Sequence, residues 1–366
     1  MFSSKRYDLL VVGAGIAGAV YSYLFRQKHN AARILVLDKN DYVGGLCHTF
    51  DDHGICVQEF GAHIFHTDKK AIWDFVNNIC EFKPFVNSPV ANYNGFLYNL
   101  PFNMNTFHQL WGVCTPKEAY LELQKRKIDF GREPQNMEEA ILSQLGEEIY
   151  IKFFKDYTEK QWGCPCQKLP ASIAKRLPVR LLYDNNYFSD AYSGIPIRGY
   201  THFIEQLLYG CEVRLGVDYL SDRQEYDKLS DTIVYTGPID AFFDYKYGHL
   251  GYRSLRFEHS YYPDTDNYQG VAVMNFTDKS PFTRRIEHKH FLKQDCNGTV
   301  ITHEYPSPFS DNAIPFYPIP TNENLIVLDR YKDEADKLSK VKFVGRLAEY
   351  RYYDMDDIVE RCLEIV

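Results

Sequence analysis

The chain has 366 residues, a formal net charge of −8 at neutral pH and nine cysteines without a C-x-x-C pair. Such a length exceeds one simple core and suits two or three domains, and the acidic balance excludes a general nucleic-acid binder, so any anionic ligand must be held by local arginines. Unpatterned cysteines read as free thiols of a reducing compartment, and no leader or bilayer-spanning run is legible, so a cytoplasmic protein with no membrane insertion is expected.

The first element is an apolar run, Leu9-Leu10-Val11-Val12, that reads as a buried strand. Gly13-Ala14-Gly15-Ile16-Ala17-Gly18 follows as a G-x-G-x-x-G turn into a helix, the pattern that lets backbone approach a pyrophosphate. The second strand, Arg33 to Leu37, ends at Asp38, twenty residues past Gly18, where a carboxylate can accept from both hydroxyls of an adenosine ribose. Lys39 adjoins it. A glycine doublet, Gly44-Gly45, comes next, just before Leu46, and allows another close backbone approach. An NAD site needs no such doublet, whereas FAD enzymes of the glutathione-reductase type often carry one. FAD is therefore the expected cofactor.

Beyond the doublet, His63 and His66 sit in Gly61-Ala62-His63-Ile64-Phe65-His66-Thr67, read as a loop before a helix from about Lys69 to Ile79. Two histidines without further ligands do not make a metal site, and none is expected. The segment from Val90 to Tyr98 is a hairpin on an Asn94-Gly95 turn. From Asn103 to about Leu177 the pattern is helical: Thr115-Pro116-Lys117-Glu118 is a capping box, Asn136 with Glu139 repeats it, and Gly146 closes that helix. Phe153, Phe154, Tyr157, Thr158 and Trp162 fall in the next stretch, where aromatic side chains serve either the core or a base-stacking wall.

A helix from Gly199 to Leu208, a strand from Cys211 to Leu215 and a strand from Asp231 into Gly237-Pro238 return the chain to the alternating pattern. From Tyr252 to about Leu328 the reading is β-rich and antiparallel, with runs at 253–260, 270–276, 283–290 and 299–305. Val341 to Val344 is a late strand, followed by Gly345-Arg346 and a helix opening near Asp356. This last unit fits a nucleotide-binding sheet completed from the C-terminus, its helix dipole pointing at the cofactor. With 29 tyrosines and 25 phenylalanines, the chain is well supplied with flat faces for a sugar or a nucleobase.

Several longer motifs carry a resemblance. They are Gly61 to Thr67, Leu100-Pro101-Phe102-Asn103-Met104-Asn105-Thr106-Phe107, Tyr157-Thr158-Glu159-Lys160-Gln161-Trp162-Gly163, Tyr235-Thr236-Gly237-Pro238-Ile239-Asp240, Glu287-His288-Lys289-His290 and Gly345-Arg346-Leu347 with Tyr350 to Asp356. On these the chain resembles the bacterial UDP-galactopyranose mutases nearly end to end. It departs at Ala62, where a proline is usual, and in the stretch between Asn275 and Arg284, which is one residue short.

The resemblance implies a redox-neutral isomerase that interconverts UDP-galactopyranose and UDP-galactofuranose through a covalent flavin N5–sugar adduct, active only with reduced FAD. An external NAD(P)H reductant and a homodimer are implied with it. By motif position Arg176 and Arg284, with Arg285 as the alternative register, take the departing pyrophosphate, and His63 lies against the flavin. Phe153, Phe154, Tyr157, Thr158 and Trp162 line the uridine side, with Asn87, Tyr187, Asn275 and Tyr317 around it and the diphosphate. Tyr352 and Asp354 come near the diphosphate and sugar. The cofactor set is Gly13, Gly15, Ile16, Ala17, Gly18, Asp38, Lys39, Gly44, Gly45, Leu46, His63, Ile64, Gly345, Arg346, Tyr353, Asp354 and Met355. The expected α/β architecture is a discontinuous Rossmann-like FAD-binding domain of the glutathione-reductase type (1–80, 196–250 and 329–366). A helical substrate domain (103–185) and an antiparallel β-sheet domain (81–102, 186–195 and 251–328) complete it. The competing readings are an FAD-dependent oxidase or desaturase of the amine-oxidase type and a non-catalytic nucleotide-sugar sensor.

Overall fold

Four consecutive apolar side chains build β1 (Leu9–Val12), the first three of them fully buried. Strands buried on both faces belong in a parallel sheet covered by helices on each side, and the chain supplies them. The computed structural model describes residues 7–176, 179–310 and 313–366. After β1 come α1 (Ile16–Lys28), β2 (Ile34–Leu37), β3 (Thr49–Asp52), β4 (Ile55–Gln58), β5 (Phe65–Thr67), α2 (Lys70–Ile79), β6 (Phe82–Pro84), β7 (Val90–Tyr93) and β8 (Phe96–Asn99). A helical stretch follows, with α3 (Met104–Trp111), α4 (Pro116–Arg126), α5 (Met137–Leu145), the single turn α6 (Glu147–Ile149), a π-helix over Tyr150–Lys155 and α7 (Asp156–Trp162).

The chain continues through β9 (Tyr192–Pro196), α8 (Gly199–Leu208), β10 (Glu212–Arg214), α9 (Arg223–Tyr226), β11 (Ile233–Tyr235) and α10 (Ile239–Phe242). It ends with β12 (Tyr252–Tyr262), β13 (Val273–Phe276), β14 (Arg284–Glu287), α11 (Lys289–Leu292), β15 (Thr299–Pro308), β16 (Tyr317–Pro318), α12 (Asn322–Ala335), β17 (Val341–Phe343) and α13 (Met355–Ile365).

Among the described residues the strands form four sheets. One is parallel, in the order β10-β2-β1-β11-β17, and it draws its strands from three separated stretches of the chain. On one face α1, α8 and α13 pack through Val20, Phe203, Ile204, Leu207 and Val359, and on the other Tyr219, Tyr226 and Phe242 cover Leu10, Leu35 and Leu37. The largest sheet runs β16-β12-β15-β14-β13-β7-β8. The helices from α3 to α7 gather around Phe102, Phe107, Ile141, Leu145 and Phe153 in a core of their own.

Several expectations are corrected by the pairing. The large sheet is not wholly antiparallel: β7 runs parallel to β13, which the long crossover through the helices permits. Strand β9 joins β5 and β6 in a separate three-stranded sheet, so neither residues 186–195 nor β6 belong to the large one. Residues 322–328, the tail of the stretch expected to be β-rich, are helical: Thr321 caps α12, and Leu328 and Tyr331, three apart, are its buried face. The strand expected over 283–290 ends at Glu287 and turns into α11. His66 lies in β5, paired with Ser193, rather than in a loop.

The helix-start signal at Thr115 matches in full and that at Asn136 in half, since the Glu139 carboxylate accepts from the Gln135 N–H instead of the Asn136 N–H. The Thr115 side chain accepts from the Glu118 N–H at 3.3 Å while the Glu118 carboxylate accepts from the Thr115 N–H at 3.0 Å, and Asn136 accepts from the Glu139 N–H at 3.0 Å. Replacing Thr115 by Ala leaves the α4 N-terminus without its acceptor, and a loss of about 1 kcal/mol in unfolding free energy is expected from urea titration.

Candidate active site

At the C-terminal edge of the parallel sheet three pieces of bare backbone meet. Gly13 has φ +109°, and a Cβ there would lie 2.0 Å from Thr236 Oγ1; a Cβ on Gly18 would lie 2.0 Å from the Gly13 carbonyl oxygen. The Gly44 N–H donates to the Ala14 carbonyl at 2.9 Å, and a Cβ on Gly45 would come within 3.2 Å of the Gly15 Cα. Ile16 and Ala17 open α1, which has neither a side-chain cap nor an acidic residue in its first turn. Its N–H groups therefore face outward with the positive end of the helix dipole, as an anion such as a pyrophosphate requires.

Asp38 is 7% exposed and closes this turn from below, accepting from the Ala14 N–H at 2.7 Å and from both Asn40 nitrogens at 2.8 and 3.0 Å. A carboxylate has about four acceptor positions, so one is left for a ribose hydroxyl. Lys39 is exposed, Leu46 sits in the turn Gly45–Cys47, and Ile64 is buried in the core.

Across from α1, Gly345 at φ +104° brings the end of β17 against Ala17. Arg346 follows. Its Nε and Nη2 donate to the Tyr353 carbonyl at 3.1 and 2.5 Å, and its guanidinium lies 4.9 Å from the centre of the Tyr352 ring. The Tyr353 ring is buried, so its contribution here is the carbonyl that holds Arg346. Asp354 stands at the N-terminus of α13, with its N–H bound to Asp357 Oδ2 at 2.9 Å, and Met355 Sδ lies 3.7 Å from Cys47 Sγ.

The large sheet contributes a second group. Strand register aligns Ala91, Asn275, Arg284, Glu304 and Phe257 in one rung across β7, β13, β14, β15 and β12. Arg284 Nη1 lies 3.4 Å from Glu304 Oε2, with the arginine side chain 31% exposed and the glutamate 1%. Glu304 foremost, then Tyr157, raises the Arg284 pKa against burial, so the guanidinium is held charged. Tyr187 and Tyr317 face the same cation. Burial pushes the Tyr157 phenol up to about 12 and raises those of Tyr187 and Tyr317, with Arg284 opposing each shift. Tyr317 and Tyr352 stack with centroids 5.7 Å apart, which joins this group to Arg346.

Among the described residues Asn275 Oδ1 is buried with no hydrogen-bond partner. An unpaired buried amide oxygen costs about 1–3 kcal/mol unless a ligand satisfies it. Arg285 points elsewhere: its Nε donates to Gln269 Oε1 at 2.9 Å and its guanidinium lies over Tyr268 and Phe276, so the register puts Arg284 among the tyrosines. Asn87 is buried and its carbonyl accepts the Tyr187 N–H at 2.7 Å. Thr158 is buried on α7, and Trp162, partly open, ends that helix. Phe153 and Phe154 are 5% and 4% exposed and pack on Phe102, so the core claims most of both rings. The side chain of Arg176 lies outside the described residues.

His63 links the two ends. Its Nδ1–H donates to the Gly61 carbonyl at 3.0 Å, which leaves Nε2 as an acceptor, and its N–H donates to Gln58 Oε1. Burial, then the charge of Arg346, outweigh the Gly61 bond and, with Arg284, bring its pKa down to about 4. The imidazole is neutral at pH 7. His66 does not converge with it, bonding Asp190 at 3.1 Å and stacking on Phe188 instead.

Three residues of this network were assigned no role from the sequence, His288 among them although its motif carries part of the resemblance. Glu304 is one, although alternation from Val300 through Thr302 puts it on the buried face of β15, where a lone carboxylate signals a partner. Gln58 and His288 are the others: the Gln58 N–H donates to His288 Nδ1 at 3.2 Å, and His288 Nε2–H in turn donates to Thr302 Oγ1 at 2.7 Å. The rest of that motif braces loops. Glu287 accepts from the Tyr268 and Gln269 N–H groups at 2.7 and 2.9 Å, and Lys289 Nζ donates to the Cys296 and Gly298 carbonyls.

The family model described as UDP-galactopyranose mutase matches residues 152–352, and one for an NAD(P)-binding Rossmann-like domain matches residues 11–79. A probable UDP-galactopyranose mutase of Klebsiella pneumoniae is 38% identical over 98% of this chain and 93% of its own length. The chain belongs to the UDP-galactopyranose mutase family. It is thereby a flavin-dependent mutase, an isomerase.

A dTDP-fucopyranose mutase of Escherichia coli is 35% identical over 97% of the chain and 96% of its own length. Among solved structures, a reduced UDP-galactopyranose mutase superposes with a TM-score of 0.73 at 15% identity, over 100% of this chain and 93% of that one. A putrescine oxidase variant gives 0.60 at 12% identity, over 98% of each chain. At such identities these two share the fold. No helix of the described residues is long and apolar enough to cross a membrane.

The buried histidines predict how this mutase-family fold responds to acid. His63 and His288, with pKa values brought down to about 4 and about 3, take up protons near 6.5 once unfolded. The unfolded chain then binds more protons than the native one, so stability is full above pH 6.5 and falls as the pH drops toward 4. Melting temperatures measured between pH 7 and 5 should decline, and the decline should be shallower in His288→Phe.

Proposed function

We propose that this chain interconverts UDP-galactopyranose and UDP-galactofuranose with bound FAD in its reduced form. The observation that carries the reading is Arg284, charged against Glu304 and faced by Tyr157, Tyr187 and Tyr317, with Tyr352 stacked behind Tyr317, beside an Asn275 oxygen unpartnered among the described residues. A cation set among phenols and an open acceptor suits a nucleoside diphosphate. The FAD assignment is supported by the glycine cradle, the uncapped start of α1, and Gly345 against Ala17. Gly13, Gly15, Gly18, Gly44 and Gly45 would lie along the dinucleotide, with Asp38 at its ribose.

The cofactor's contribution, when bound and reduced, is an electron-rich ring nitrogen able to act as nucleophile toward an anomeric carbon. The chain's own residues do the remainder. Arg284 and Arg176 take the negative charge that grows on the pyrophosphate as the sugar–oxygen bond breaks, where a preorganised cation is worth most. Asn275 and the tyrosines orient the ligand, Thr158 and Trp162 flank the base, and only the open edges of Phe153 and Phe154 reach it. His63, neutral and with Nε2 free to accept, stands between Arg346 and Arg284 and orients a proton-bearing neighbour without adding charge. The same reading divides the chain into cofactor, helical and β-sheet parts, with a nicotinamide as external reductant and a cytoplasmic homodimer as the working form.

The near-equal similarity to a dTDP-fucopyranose mutase makes the second reading a thymidine-linked sugar. Purified protein should be yellow, and after dithionite reduction should convert UDP-galactofuranose to UDP-galactopyranose, resolved by chromatography; the oxidised protein should be idle. Equal turnover in both redox states removes the reduced-cofactor requirement, oxygen consumption with substrate favours an oxidase, and faster turnover of dTDP-fucopyranose moves the assignment to that sugar.

Arg284→Ala is expected to lower kcat by about two orders of magnitude or more with flavin content intact, as loss of a charge-stabilising group does. Arg285→Ala should stay within a few-fold of wild type in the same assay.

A further inference from the structure

The side chain of Lys160 ends in a ring of main-chain oxygens. Its Nζ donates to the carbonyls of Phe276 at 2.6 Å, Asp278 and Phe282 at 2.9 Å, and Ser280 at 3.1 Å. These are alternate residues of the single connection from β13 to β14, all turning their oxygens to one point. Three N–H donors serve four acceptors, so the ring surrounds a point charge as carbonyls surround a bare cation. Burial brings the ammonium down to about 8 with Asp278 and Asp156 opposing, so it is charged at pH 7.

The connection has further ties: the Phe282 ring packs on those of Phe276, His303 and Tyr305 at 4.5, 4.7 and 5.9 Å, and the Phe276 N–H donates to the Thr283 carbonyl at 2.8 Å. The Asp278 carboxylate accepts from the Ser280 and Asn94 N–H groups at 2.9 and 3.0 Å, and the Thr277 N–H donates to the Asn92 carbonyl at 2.9 Å. Its two ends, however, are Asn275 and Arg284, directly opposite each other in the register. Lys160 itself lies one helical turn after Tyr157 on α7, whose last carbonyls are gripped by Arg253: Nε on Gln161 O at 2.9 Å and Nη2 on Lys160 O at 3.4 Å. One ammonium thus joins the helix that carries Tyr157 to the strand ends that carry Asn275 and Arg284.

We propose that Lys160 is a positioning residue: its ammonium is the mould around which residues 276–282 close, and it fixes the distance from Tyr157 to Arg284 and Asn275 that the diphosphate grip needs. The inference rests on the nucleoside-diphosphate reading given above. Lys160→Met keeps the stem and removes the cation. With FAD content and melting temperature compared alongside, UDP titrated by calorimetry should bind at least tenfold more weakly, and kcat/KM should fall at least tenfold.

Lys160→Ala leaves the carbonyl ring empty, and n-propylammonium chloride should restore UDP affinity at least threefold, whereas n-propanol or sodium chloride at equal concentration should not. UDP affinity within twofold of wild type in both variants, or a loss that the amine does not reverse, overturns the proposal. A wild type that holds FAD yet binds no UDP removes the functional reading and this inference together. Normal binding by wild type and variants alike removes the inference alone.

Discussion

The ion pair between Arg284 and Glu304 is the interaction on which the rest of the site depends. Two charges 3.4 Å apart, one of them on a side chain 1% exposed, carry a desolvation cost of several kcal/mol per ion that their mutual attraction only roughly offsets. Such a pair is poor at stabilising a fold. It makes sense where the sheet must hold a guanidinium rigid, charged and incompletely neutralised. Thr283 Oγ1, which donates to Glu304 Oε1 at 2.9 Å, fixes the carboxylate from the residue just before the strand that carries the arginine, and the phenols of Tyr157, Tyr187 and Tyr317 face the same cation. The carboxylate orients the cation and leaves about a third of the arginine side chain open to further hydrogen-bond acceptors.

That geometry was only partly legible in the sequence. The cofactor end was, because its information is local: a buried run, glycines at fixed offsets, an acidic residue at the end of the next strand, and caps at Thr115 and Asn136 all act within a few residues. The rung that aligns Asn275, Arg284 and Glu304 was not. It is set by pairing between strands far apart in the chain, and a shift of one residue would have put Arg285 among the tyrosines and Arg284 on the other face. Motif position pointed to Arg284, but only register decides it. For the same reason the β-rich reading extends to about Leu328, where only the covering of Leu328 and Tyr331 by neighbours selects a helix.

The aromatic stretch shows a different limit. Composition places Phe153, Phe154 and Tyr157 close together without saying which faces a ligand. The π-helix over Tyr150–Lys155 widens the turn and shifts the phase of the following residues, a feature often found beside functional sites and invisible in a period of 3.6. Phe153 and Phe154 turn into the helical core against Phe102, while Tyr157, just past the wide turn, reaches Arg284. The shift lets one short segment close a core and open a site.

The two ends communicate through charge as well as contact. Arg346 is held by the Tyr353 carbonyl and lies over the Tyr352 ring, which stacks on Tyr317 beside Arg284, so a continuous path of rings and guanidinium groups runs from the glycine cradle at Gly345 to Arg284. His63 stands between the two cations, and both disfavour its protonation. Burial and Arg346 weigh most in this, and Arg284 least, so on the reading proposed above a diphosphate at Arg284 would relieve only the smallest part of the depression. The tautomer does not change in either case, because the Gly61 carbonyl holds the Nδ1 proton. The position of Nε2 is set by Gln58 and, behind it, by His288.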